Sequence, residues 1–175
     1  MIKELFQRRQ IRKYFSPFLP KEKIDKIVSG KLDQRQLHKL KQSPLEIVLV
    51  AVRGKDAQHV SDLMGVVADL AIQYNGVVQS LVLSLVIIVF GTIDFPKTST
   101  GNRVALVKAL QEQLGSDIKI VHGVESGYFG NIGSTNRLSY SFIIPNFLEA
   151  LGQLSSAGFG EVIEISSSGL TSRSS

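Results

Sequence analysis

The chain of 175 residues contains no cysteine and no tryptophan. Without cysteine there is no disulfide framework, no thiolate metal site and no cysteine nucleophile, and the composition suits a reducing compartment. The longest strongly apolar run, residues 77–90, carries Gln79, Ser80 and Ser84 and is too short to cross a bilayer as a helix. The first ten residues, MIKELFQRRQ, place charges where a signal peptide needs an apolar stretch. These absences predict a soluble, cytoplasmic chain with no membrane span. A hydrophobic fraction of 43% is enough for one core without staples.

What charge there is lies unevenly. Residues 1–43 hold 12 Lys and Arg against 4 Asp and Glu, and residues 44–175 hold 8 against 11, so a basic arm precedes a mildly acidic body. Such an arm could meet nucleic acid, an acidic membrane face or an acidic protein. Tyr14, Phe15 and Phe18 cluster around Pro17 and Pro20 and do not alternate with the basic residues, which argues against nucleic acid and for a solvated helical arm.

Pattern divides the chain into an arm over 1–43, a body over 44–166 and a mobile Ser-rich tail over 167–175. In the arm, residues 2–15 and 21–28 suit helices, separated by two X-Pro breaks, and residues 32–40 suit a further turn or two. The body opens with EIVLVAV (46–52), a continuous run typical of a strand covered on both faces. Apolar residues from Val60 to Tyr74 then recur at three- and four-residue spacing, and Asn75-Gly76 supplies a left-handed stop. Residues 77–90 are long enough for two strands, though neither Gly nor Pro marks a turn. A second helix over 102–114 stops at Gly115. Strands over 118–124 and 140–144 flank GYFGNIGSTNR, and a short helix over 146–155 and a strand over 161–165 follow. This is an α+β plan: one mixed or antiparallel sheet with helices against it.

Little in the body suggests catalysis. His38, His59 and His122 are far apart and show no ligand spacing, so they read as ordinary residues. Asp56, Asp62 and Asp69 fall on the polar side of the first long helix. Gly127, Gly130 and Gly133 lack a following helix to seat a phosphate and read as tight-turn residues.

The segment GNIGSTNRLSYSFIIPNFLEAL (130–151) resembles a signature of the class III adenylate/guanylate cyclase catalytic domain. IRKYFSPFLP (11–20), EIVLVAVRG (46–54), NGVVQSLVLSLVIIVFG (75–91) and GVESG (123–127) resemble further family segments in the expected order. The resemblance implies a ferredoxin-like α+β fold. It also implies head-to-tail dimers with a nucleoside triphosphate at the interface and two divalent metals on two aspartates.

Carried over by position, the functional groups are replaced. The metal aspartates fall on Ala51 and Ser84, with Leu83 standing where the family has a glycine. The base-selecting positions fall on Ser80 and Pro145, and the transition-state Asn and Arg on Leu148 and Gly152. The stretch from Lys55 to Gly76 is shorter than in relatives, and only Tyr128 and Phe129 separate Gly127 from Gly130. The resemblance therefore implies a catalytically inactive domain with no metal and no cofactor. Such a domain would act as a regulatory, dimerisation or scaffold module, a homodimer or the partner of another protein. The apolar run over 77–90 would be covered by that partner or by the chain's own helices. Two alternatives stand beside this one. A remodelled cleft could bind a small ligand or nucleotide, or a residual cyclase could use Asp56 or Asp94 as displaced metal ligands.

Overall fold

The computed structural model describes residues 9, 13, 21–29, 41–91, 99–134, 137–166 and 171–174. Within them lie helix α1 (Lys21–Val28), strand β1 (Lys41–Val52), α2 (Ala57–Gln73), and the hairpin β2 (Val77–Val82) and β3 (Leu85–Phe90). Then come α3 (Ser99–Leu114), β4 (Ile118–Ser134), β5 (Arg137–Ile143), α4 (Phe147–Ser156), β6 (Val162–Ser166) and β7 (Thr171–Ser174). The expected helix over 2–15 falls outside the described residues except for Arg9 and Lys13, both helical, and the expected turns over 32–40 fall outside them entirely.

One sheet runs in the order β2-β3-β1-β4-β6-β7, with β5 paired to β4 off that path. All pairings are antiparallel except β4 with β6. Strand β1 lies in the middle and its side chains alternate between two cores, as a continuous apolar run requires. Val48, Val50 and Val52 join Val67 of α2 and Leu106 and Leu110 of α3. Leu45, Ile47 and Leu49 join Ala150 and Leu154 of α4 on the opposite face. Val86, Ile88, Val89 and Phe90 of β3 are buried between these same layers. Helix α2 thus covers one face of β3, while Leu85 and Ile87 on the other face stay only partly buried. Among the described residues, no helix is long and apolar enough to cross a membrane.

Several differences from the sequence reading have physical reasons. The turn within 77–90 falls at Leu83-Ser84, and Leu83 takes φ 56° where glycine would be unstrained. β1 begins at Lys41 and runs through Pro44, which pairs with β4 and lies outside the register with β3, so its missing N–H breaks no bond of that ladder. Gly127, Gly130 and Gly133 lie inside β4 and are not turn residues. A Cβ on Gly127 would come within 2.6 Å of Leu45 Cδ1 and 2.9 Å of the Ile143 carbonyl, so a close strand approach explains that glycine. Where composition predicts a mobile tail, Thr171–Ser174 pairs antiparallel with β6.

Candidate functional site

The topology brings Ala51 and Ser84 together. Ala51 pairs with Leu85, the residue that follows the hairpin turn, and the Val52 N–H donates to the Ser84 carbonyl at 2.9 Å. Both residues are half-buried, and Ala51 packs on the α4 side of the sheet. On its other flank Ala51 pairs with Lys119 of β4. The Lys119 ammonium donates to the carbonyls of Ser155 and Ala157 at 3.2 and 3.1 Å, at the end of α4. It also stands 5.4 Å from the centre of the Phe159 ring, over which the Arg53 guanidinium lies at 4.4 Å. Asp56 caps α2, its carboxylate accepting the His59 N–H at 2.8 Å. Asp94 lies outside the described residues.

Ser80 sits on β2 opposite Ile87, where a register shift follows Val78. Pro145, Leu148 and Gly152 lie on the segment that leaves β5 and forms α4, and all three are exposed. A cleft of about 320 Å³ separates these two regions, lined by Gln79, Ile87, Val89, Phe142, Ile144 and Phe147 among others. Ser80 follows Gln79 and Pro145 follows Ile144, so the two positions that the resemblance assigns to base selection flank one apolar cleft. None of its lining residues is charged. Among the described residues, no group of three His, Asp or Glu side chains could hold a metal ion.

A second polar constellation escaped the sequence reading. Arg103 of α3 is buried and inserts between three strands on the face opposite the cleft. Its Nε donates to Glu46 Oε2 of β1 at 3.0 Å, and its Nη2 donates to Glu164 Oε1 of β6 at 3.1 Å. Its Nη1 meets Nδ1 of His122 on β4. Burial first, and Arg103 second, lower the His122 pKa from 6.5 to about 4, while Glu164 opposes the shift. The available signal is an ionisable residue within each of three apolar strand runs, Glu46, His122 and Glu164. Nothing local linked those residues to Arg103.

No protein-family model and no curated protein matches the chain. Solved structures do. A bacterial light-regulated adenylyl cyclase superposes with TM-score 0.63 at 11% identity, covering 93% of this chain and 54% of that one. The adenylyl cyclase CyaB from P. aeruginosa gives TM-score 0.56 at 16% identity over 72% of this chain and 78% of its own. A dimeric guanylyl cyclase domain of the RhoGC fusion protein from the aquatic fungus Blastocladiella emersonii gives 0.57 at 11% identity, over 73% and 82%. The chain has the α+β fold of the adenylyl and guanylyl cyclase domains.

Proposed function

We propose that this chain is a catalytically silent domain of the cyclase fold that serves as a regulatory, dimerisation or scaffold module in cyclic nucleotide signalling. The observation that carries this reading is the adjacency of Ala51 and Ser84. Nucleotidyl transfer depends on positioning and on neutralising phosphate charge. A methyl and a hydroxyl do not form a donor set for two divalent cations. The residues here do not fit the metals the fold implies. Without metals, a triphosphate would bring its charge against an apolar cleft, at several kcal/mol per uncompensated charge. Ser80, Leu148 and Gly152 lack the base-selecting and transition-state groups as well, so the chain could complete neither half of a heterodimeric site.

In this reading the working body spans 44–166, the basic arm 1–43 and the Ser-rich segment 167–175 are appendages, and the protein resides in the cytoplasm. Self-association draws support from the non-canonical dimer of the similar fungal domain, which also occurs as a monomer, and from the exposure of Ile143 and Leu148. The test incubates the protein with ATP or GTP and Mg²⁺ or Mn²⁺, alongside light scattering at micromolar concentration. No cyclic nucleotide forms, and a species heavier than the monomer is present. Metal-dependent cyclic AMP or GMP would overturn the silent reading, and a strict monomer would remove self-association. The cleft supports a second reading, a small-ligand module, which calorimetry with ATP, GTP and cyclic nucleotides addresses.

A further inference from the structure

We propose that Glu46, Arg103, His122 and Glu164 form a proton-operated clamp on α3, in which protonation of His122 transfers Glu164 from Arg103 to the imidazolium and frees the start of the helix. The inference stands independently of the silent-domain reading, because the clamp lies on the other face of the sheet. A guanidinium only donates, so the contact with Arg103 Nη1 requires Nδ1 of His122 to accept and places the imidazole proton on Nε2. Three strands thereby hold one turn of α3 through a single side chain. Protonating Nδ1 removes that acceptor and sets two cations against each other. Glu164 Oε1 lies 3.8 Å from Nδ1 and 3.1 Å from Arg103 Nη2, so one oxygen serves either partner. When it moves to the imidazolium, Arg103 loses two of its three partners and keeps Glu46. The Glu164 side chain is 48% exposed and gives the proton a route from solvent, whereas Glu46 and Arg103 are closed off.

The charged groups facing His122 among the described residues come from each element packed around it: Arg103 of α3, Glu46 of β1 and Glu164 of β6. The direction of the response follows from the histidine. Its pKa in the closed form is about 4, below the ordinary 6.5, so the open form binds the proton more readily. Lowering pH through this window favours opening, and raising it restores the clamp.

The test is NMR and amide hydrogen exchange on the intact chain between about pH 6 and about pH 3.5. Exchange in the first two turns of α3, corrected for intrinsic rate, rises about tenfold with the His122 titration while β1 stays protected. His122→Asn offers an acceptor that cannot be protonated, and in it α3 exchange stays flat. Glu164→Gln, at a half-exposed site that tolerates change, moves both the His122 midpoint and the α3 transition to lower pH. Opening that persists in His122→Asn would assign the response to the carboxylates and overturn the proposal. So would an α3 transition unmoved in Glu164→Gln, or loss of protection in α3 and β1 together.

Discussion

Leu83 is 92% exposed and holds φ 56°, a left-handed conformation that an L side chain occupies at roughly 1 kcal/mol above glycine. It makes no burial gain to offset that strain. Leu83→Gly is therefore expected to stabilise the chain by about 1 kcal/mol, less a few tenths for the added freedom of the unfolded state, read as a higher urea midpoint at unchanged slope. A lower midpoint would show that the turn is held by contacts of the leucine itself. The residue also explains why this turn was illegible. Asn75 takes φ 62° just where Asn-Gly advertises it, and Gly115 takes φ 46° where α3 stops. Leu83 adopts the same region with no marker in the sequence, because the pairing of β2 with β3 imposes the turn from outside.

At the scale of elements, what was legible is what local spacing controls. The period of three and four predicts α2, and its buried residues Leu63, Val67 and Ala71 fall on that stripe. The uninterrupted run of β1 predicts two covered faces, and both are covered. Strand β4 is different: it runs through Gly127, Gly130 and Gly133 over 17 residues because β1 and β5 supply its hydrogen bonds. The end of α4 is likewise set from a distance. That helix has no basic residue in its last turn, and Lys119, 36 residues away from Ser155, meets its final carbonyls instead. Lys119→Ala is expected to lower stability by about 1 kcal/mol, with the larger share of lost amide protection confined to the last turn of α4. Lys119→Arg, which can still donate and still face Phe159, retains most of it. Uniform loss of protection across the sheet would mean that Lys119 acts through β4 packing and not as a cap.

At the scale of the whole molecule, the sequence pointed to the site only through order: segments individually weak fell in one sequence along the chain, and the fold agrees with that order. It could not show that Ala51 and Ser84 meet, since a strand pairing 33 residues apart determines it, nor that Ser80 and Pro145 flank one cleft. The adjacency makes the proposed loss of metal sites testable by restoration. Ala51→Asp with Ser84→Asp would place two carboxylates beside the β2–β3 turn, near Leu85 and Lys119. Without metal, the half-buried charges repel and lose solvation, so the double variant is expected to be less stable than the parent by about 1–3 kcal/mol. Millimolar Mn²⁺ binds the folded variant and recovers part of that loss, raising its unfolding temperature by about 3 °C while leaving the parent unmoved. On the proposed correspondence, in which Ser80, Leu148 and Gly152 replace the base-selecting and transition-state groups, cyclic nucleotide is still not expected to form. An equal response to Mn²⁺ in parent and variant would mean that cations bind elsewhere. A variant indifferent to Mn²⁺ would mean that positions 51 and 84 do not jointly correspond to the metal aspartates of the cyclase domains, and the case for a silenced site would fall with that correspondence.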